Sequence, residues 1–595
     1  MVSGDELEIF RHQLQGIVEE MGVTLERTAF STNIKIRQNY SCALFDADAN
    51  HIAQHTAAPI QMAALKHAVP GLVEERIDDM SPGDGYLIND PSKGGAVHLP
   101  DLILISPMFS DEDELIGFVG NNAHHVDIGG ETPGGIPIDS TSLYGEGLIL
   151  PGVRLVRDWE LDEEMLRLLT RNVRGARMRV GDYQAQLGAN QIGSRRFNDL
   201  YERYDSDTLS DYIDELCSYT ETRVRSELRQ IPDGTYQAMD YLDGDGIKNE
   251  PLRIALTVQI DADEVVFDFT GTADQNRGPT NADPSSVFGA VIIAIRSLFE
   301  DDIPLNDGFY RPFELITPAG SMVNPGHNAP IAGTGEIVQR VADLVLKSLA
   351  EAIPDQVIAA TKGTSINVAY GGIDPRDGEE YVYFETFAGG YGGRPTKDGM
   401  DAVQPHLQNT ANSPVEEIER EVPMYIRRYE LREDSEGAGR YRGGLGIRRD
   451  MEFYDDEACF TILSDRARFA PWGLFGGHSG ALARYRIDPD TADEYTVNSK
   501  STTQLEQGQV ASIMTPGGGG YGDPLDRDPT LVRQDVLNEK VSLEKARDVY
   551  GVVLDADTLS IDHQATARRR QEIATILPED PRSDEKPRLA DGGER

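Results

Sequence analysis

The chain has 595 residues, far more than one small core needs, and with 39% of them hydrophobic and 26% charged most of it is expected to fold, in two to four domains. Its 101 Asp and Glu against 56 Lys and Arg leave a formal net charge of -45, which excludes binding along a phosphate backbone. The carboxylates are spread through every segment, the pattern of a surface adapted to multimolar salt, so a halophilic cytoplasm is expected.

The chain opens on Ser3-Gly-Asp-Glu6, a capping box, followed by Leu7, Phe10, Leu14, Ile17, Met21 and Leu25 at helical spacing. The acidic start is unlike a signal peptide, and no apolar run reaches the roughly 18 residues of a membrane span, so neither export nor a membrane is expected. Strands are predicted over residues 41–46, 85–88 and 102–109, with a helix over 63–75. Cys42 lies in an apolar strand and reads as buried and inert; with Cys217 and Cys459 so far away, neither a disulfide framework nor a cysteine zinc cage is predicted.

From Asn89 to Gly152 the sequence is rich in Gly and Pro, the composition of ordered loops on a scaffold, where function concentrates. Helices are predicted over 161–173, 179–204 and 209–229. The second carries Asp182, Gln184, Gln186, Asn190 and Gln191, and suits either a polar cavity or solvent. Alternation of Ile254, Leu256 and Val258 with Ala255, Thr257 and Gln259 predicts antiparallel sheet, and helices are predicted over 286–299 and 336–353. Short alternating segments from about 423 to 512 read as all-β. The expected organisation is therefore mixed α/β (α+β), large and multi-layered with a β-rich C-terminal region. Its expected domains are 1–232 with the candidate site, 233–422, 423–528, a helical tail 529–577, and a disordered 578–595.

The chemistry concentrates in Asn89-Asp90-Pro91, His98-Leu-Pro-Asp101 and Ala123-His-His-Val-Asp127. Three of only 11 histidines fall within this short Gly-rich stretch, each near an Asp. Imidazole with carboxylate oxygen is a ligand set for Mn, Fe or Zn with open positions. His98 and Asp101 can reach one ion from a strand-to-turn exit, and His124 can arrive from the next strand end. His125 and Asp127 can orient a ligand ring or relay a proton. The alternative is a set of loop histidines satisfied by backbone hydrogen bonds. Pro516-Gly-Gly-Gly-Gly-Tyr-Gly-Asp-Pro524 lacks the Lys-Ser/Thr of a phosphate loop and reads as a structural turn. Gly333-Thr-Gly-Glu336 reads first as a capped helix start and second as an anion site.

These residues, with Cys42-Ala-Leu-Phe-Asp46, Gly94-Gly95, Gly129-Gly130, Asn306-Asp-Gly308, Asn412-Ser-Pro-Val-Glu416, Tyr441-Arg-Gly-Gly-Leu-Gly446 and Pro471-Trp-Gly473, resemble the hydantoinase B/oxoprolinase family over roughly residues 5 to 555. The resemblance implies a subunit that works in a cytoplasmic hetero-oligomer with a hydantoinase A-type chain, which binds the ATP, on a small cyclic amide. It also implies one divalent ion (Mn, Zn or Fe) on His98, Asp101 and His124, with His125 and Asp127 handling protons. A subunit of an acetone-carboxylase-type ketone carboxylase and a non-catalytic scaffold are the rival expectations. Two positions depart from the family pattern: Ile36 where an acidic residue is common, and Gln61 where a histidine is common.

Overall fold

The computed structural model describes residues 4–95, 97–299 and 302–576, so the expected disordered tail lies outside the described residues. The N-terminal region contains α1 (Gly4–Thr28), α2 (Thr32–Lys35), β1 (Tyr40–Phe45), β2 (His51–Thr56), α3 (Met62–Arg76), β3 (Gly85–Ile88), β4 (Asp101–Phe109), β5 (Leu115–His124), β6 (Pro151–Arg157), β7 (Glu160–Leu161), α4 (Glu163–Arg171), α5 (Ala176–Tyr204) and α6 (Ser206–Leu228). The strands form one antiparallel sheet in the order β2-β1-β5-β4-β3-β6-β7. Both faces are covered: Cys42, Leu44 and Val119 pack with α1 and α5, whereas Ala43, Phe45 and Phe118 pack with α3. Burial on both faces explains why β1 reads as a continuous apolar run instead of an alternating one.

Helix α5 explains its own polar stripe. Asp182, Gln186 and Asn190 are buried, while Gln184 and Gln191 are exposed, so the helix neither lines an open cavity nor lies free in solvent. Gln186 Nε2 donates to the Leu102 carbonyl (2.8 Å) and Asn121 Oδ1 (2.9 Å). Asn121 Nδ2 returns bonds to the Gln186 carbonyl (2.9 Å) and Asn190 Oδ1 (2.7 Å). Asn190 Nδ2 reaches the Leu104 carbonyl at 3.1 Å. Side-chain amides thus clamp the helix to β4 and β5, each of these amides finding partners.

The middle of the chain forms β8 (Gly234–Leu242), β9 (Leu252–Asp261), β10 (Glu264–Asp268), α7 (Pro284–Arg296), α8 (Asp307–Tyr310), β11 (Phe313–Ile316), α9 (Thr334–Ser348), β12 (Asn367–Ile373) and β13 (Glu380–Thr386). Ile254, Leu256 and Val258 are buried with α7 and α9 in the largest core, as the alternation predicts. There follow α10 (Val415–Glu421), β14 (Met424–Leu431), β15 (Ile447–Phe453), β16 (Glu457–Leu463), β17 (Arg484–Ile487), β18 (Tyr495–Thr496), β19 (Lys500–Glu506) and β20 (Val510–Met514). Helices α11 (Pro529–Leu537), α12 (Leu543–Asp548) and α13 (His563–Ile576) complete the described chain. The sheet β13-β12-β16-β19 takes strands from both sides of residue 423, so the boundary expected there runs through a continuous sheet. Buried ion pairs cross it too: Arg340 meets Asp465 at 2.6 Å and Arg466 meets Asp240 at 3.2 Å. Among the described residues no helix is long and apolar enough to cross a membrane.

The Gly-rich run after β20 is a buried segment hydrogen-bonded through its backbone to several neighbouring segments, not a turn. Gly518 donates to the Gly444 carbonyl (2.9 Å) and accepts from Gly437 (2.8 Å), while Gly519 donates to Ala360 and accepts from Gly393 (both 2.8 Å). A Cβ on Gly518 would lie 2.1 Å from the Tyr391 carbonyl oxygen, closer than any side chain tolerates. The run thus serves close backbone approach, a requirement its composition shared with turns.

The α5 clamp yields a prediction. Gln186→Leu strands the Asn121 Oδ1 and Leu102 carbonyl groups in an apolar interior, at roughly 1–3 kcal/mol each. It should lower the chemical-denaturation midpoint clearly, whereas Gln184→Leu on the exposed face should stay within about 0.5 kcal/mol of wild type. Equal midpoints for the two would refute the clamp.

Candidate metal centre

The antiparallel register of β4 and β5 sets Asp101 directly opposite His124. Side chains alternate along a strand, so Asp101 shares a face with Ile103 and Ile105, and His124 with Phe118 and Asn122, the face covered by α3. His98 joins them from the tight turn before β4, in which the Asp101 N–H donates to the His98 carbonyl (3.0 Å). One ligand atom from each of these three buried residues lies within 4.8 Å of the others. Bonds of about 2.0–2.2 Å to a shared ion put ligand atoms roughly 3–4 Å apart, so the set is slightly open but converges.

The groups around them are dedicated to holding this geometry. Asn33 Nδ2 bonds both Nδ1 (2.8 Å) and the carbonyl oxygen (2.7 Å) of His124, whose ring stacks on Phe384 of β13 with centroids 4.5 Å apart. His124 Nε2 is left buried with no partner among the described residues, the kind of orphan a ligand satisfies. His98 Nε2 lies 3.5 Å from Asp101 Oδ2, and Gln61 Nε2 donates to Asp101 Oδ1 at 3.0 Å. Gln61 therefore holds a candidate ligand without itself lining the cavity. Gln61 Oε1 is itself buried and unpartnered. Ile36 is only half-buried beside Arg37, whose guanidinium reaches the Phe384 carbonyl and the Thr386 hydroxyl.

Burial sets the protonation of the three groups. It pushes His98 down to about 4 and His124 well below its ordinary range, so both rings are neutral, the form in which imidazole binds metal. It raises Asp101 to about 7, against the bonds from Gln61 and the His98 backbone, so an unmetallated carboxyl is costly to ionise there. The three residues face a cavity of about 30 Å3, room for water, also lined by Ile60, Ser365, Asn367, Phe384 and Gln408. Three elements remote in sequence thus close it: the N-terminal sheet, β12–β13 and the start of α9, which contributes Gly335.

His125 and Asp127 lie elsewhere. In an extended strand neighbouring residues point to opposite faces, and His125 shares the parity of Asn121 and Ala123, toward α5. Its Nε2 is 2.9 Å from Gln186 Oε1 and its ring packs 4.8 Å from Tyr183. Because Gln186 Nε2 already donates twice, its oxygen must accept, so His125 carries its proton on Nε2 and leaves Nδ1 buried and bare. Asp127 is saturated by the N–H groups of Gly129, Gly134 and Arg174 and by the Arg174 guanidinium (2.8–3.1 Å), organising the loop after β5. Neither lines the cavity. Asn33, Asn367 and Phe384, which do build the site, carry no spacing signal because they come from distant segments.

Burial lowers His125 to about 4, against an ordinary 6.5. Between those values the unfolded chain binds more protons at this position, so its contribution to stability falls as pH drops from 6.5 toward 4. The thermal midpoint of wild type should therefore fall more steeply across that window than that of His125→Asn, whatever the variant's baseline. Parallel pH profiles would contradict the assignment.

Residues 5–524 match the family model for hydantoinase B/oxoprolinase. The chain is 34% identical to a putative subunit of a D-/L-hydantoinase from a Pseudomonas species, over 95% of this chain and 97% of that one. It is also 34% identical to 5-oxoprolinase 1 of Arabidopsis thaliana, over 87% of this chain but only 42% of that longer protein. Its fold is similar to the crystal structure of an ATP-dependent caprolactamase from Pseudomonas jessenii, with a TM-score of 0.89, 30% identity and coverage of 96% of this chain and 100% of that one. On this evidence the chain belongs to the hydantoinase B/oxoprolinase family.

Proposed function

We propose that this protein is the metal-site subunit of an ATP-dependent enzyme that hydrolyses a cyclic amide, working with a hydantoinase A-type subunit that binds the ATP. The observation that carries the reading is the convergence of buried His98, Asp101 and His124 on one small cavity, with His124 Nε2 left without a partner among the described residues. Support comes from relatives named as a subunit of a hydantoinase and as 5-oxoprolinase, and from the likeness to a caprolactamase.

His98, Asp101 and His124 would hold the ion, of the Mn, Zn or Fe class. Such an ion supplies Lewis acidity and brings the pKa of water toward 7. The chain's own residues do the rest. Asn33 and Phe384 fix the His124 ring in position and plane, and Gln61 fixes Asp101. Ile60, Leu407 and Phe384 keep bulk water out, and Ser365, Asn367 and Gln408 offer polar groups on the opposite wall. On the partner the ring carbonyl oxygen would be phosphorylated; one water would then add at that carbon, the ring C–N bond would break to leave the free amine and an acyl phosphate, and a second water would convert the acyl phosphate to carboxylate and free phosphate. We also propose that the chain works in a salt-rich cytoplasm, on the strength of its net charge of -45.

Elemental analysis of protein purified in high salt tests the site. Wild type and His125→Asn should carry close to one Mn, Zn or Fe per chain, and His98→Ala and His124→Ala should lose it. A wild type that stays metal-free after reconstitution sinks the reading and leaves a scaffold. With the partner subunit present, ring opening of hydantoin or 5-oxoproline coupled to ATP hydrolysis should fall at least a hundredfold in His98→Ala; bicarbonate-dependent ATP turnover with a ketone would replace hydrolysis with carboxylation. The salt adaptation predicts a thermal midpoint that drops on dilution from multimolar to submolar KCl, and an unchanged midpoint would refute it.

A further inference from the structure

A second concavity lies far along the chain from the metal site and carries the opposite electrostatics to the rest of the molecule. A cavity of about 490 Å3 opens between the β8–β9 connection (243–249), β17 and the residues leading into β19. Its wall holds Lys248, Arg468, Arg484, Arg486 and Lys500 against a single carboxylate, Asp243, in a protein where acidic residues outnumber basic ones 101 to 56. That carboxylate is fully engaged inward, accepting from the N–H groups of Ala467 (2.8 Å) and Arg468 (3.0 Å) and from the Ser499 hydroxyl (3.2 Å).

Some of the cations are also spoken for. Lys500 meets Asp465 at 3.1 Å, Arg486 meets Glu494 at 3.2 Å, and Arg468 is bonded to the carbonyls of Asp243 and Asn249. Lys248 and Arg484, both exposed, have no side-chain hydrogen bond or ion pair among the described residues. Arg484 and Arg486 alternate with the inward Tyr485 and Ile487, so both project from the same outer face of β17, about 7 Å apart along the strand. Behind them Arg432 bonds only carbonyls, those of Leu482 (2.7 Å) and Thr515 (3.1 Å). Burial, with the charges of Arg484 and Arg486, holds its pKa down to about 10. The charges of Lys248 and Arg484 therefore have no carboxylate partner among the described residues.

We propose that this groove binds a small phosphate-bearing anion, with Arg484 and Lys248 as the principal charge contacts and Arg486 as a third. Guanidinium forks match phosphate oxygens bidentately and retain that geometric advantage in salt that screens longer-range attraction. The volume is that of a small-molecule site. The net charge of the whole chain repels extended polyanions and leaves compact ones, which feel chiefly the local wall. The site shares no residue with the metal centre and does not rest on the function proposed for it.

The test is isothermal titration of the full-length chain, in phosphate-free buffer at high KCl, with inorganic phosphate, pyrophosphate and ATP in turn. At least one should bind saturably at one per chain, and Arg484→Gln and Lys248→Gln should each weaken it tenfold or more. Arg195→Gln, an exposed arginine on α5, should leave it unchanged. Equal affinity for all three anions identifies free phosphate as the occupant, and preference for ATP a nucleotide. No saturable binding, or binding indifferent to Arg484→Gln, overturns the proposal. So does a result in which no anion binds but Arg484→Gln weakens association with the partner subunit, since an acidic protein segment would then occupy the groove.

Discussion

β4 and β5 pair with Asp101 opposite His124, and the candidate site depends on that register. A slip of one residue would turn His124 toward α5 and bring His125 to the cavity face, dissolving the ligand set. Two features resist the slip. Both faces of the sheet are buried, so either shifted strand would present the wrong side chains to α3 and α5. The amides of Gln186 and Asn190 also bond specific carbonyls on β4 and are joined to Asn121 on β5, and these partners would vanish together. A polar network in a dry interface costs little when complete and much when broken, which makes it a register lock.

The same economy runs through the C-terminal half. Around Gly517–Gly520 the chain packs backbone against backbone, and hydrogen bonds between neighbouring segments replace side-chain interdigitation. That rigid bundle, with the buried pairs of Arg340 and Arg466 to Asp240, Asp343 and Asp465, ties the later sheets to α9. Since β12, β13 and the start of α9 supply Asn367, Phe384 and Gly335 to the cavity, the C-terminal bundle holds half the site wall without touching it. Charge is thus used in two ways: in excess on a hydrated surface, and in closely matched pairs inside, where an unpaired ion would be prohibitive.

The relation to relatives follows from this construction. The site spans two parts of the chain, so it can exist only where both are present, and the matching region, residues 5–524, contains both. Within that frame Gln61 donates to Asp101 and so holds one of the candidate ligands from the segment before α3.

Much of the local structure was legible in the residues. The capping box and the spacing from Leu7 to Leu25 mark α1, the alternation around Leu256 marks a sheet with one buried face, and the unbroken apolar β1 marks a strand covered on both sides. The cluster of His98, Asp101 and His124 in a Gly-rich stretch pointed to one site because these residues are close along the chain and have few other uses together. Even the separation of His124 from His125 was implicit, since adjacent residues of a strand face opposite ways. The rest was decided by tertiary structure. Whether α5 buried its amides, whether the Gly-rich run turned or bonded neighbouring backbone, and which remote residues walled the cavity all depend on contacts between segments tens to hundreds of residues apart. Local propensity carries no record of such contacts: sequence set which groups were available, and packing chose their partners.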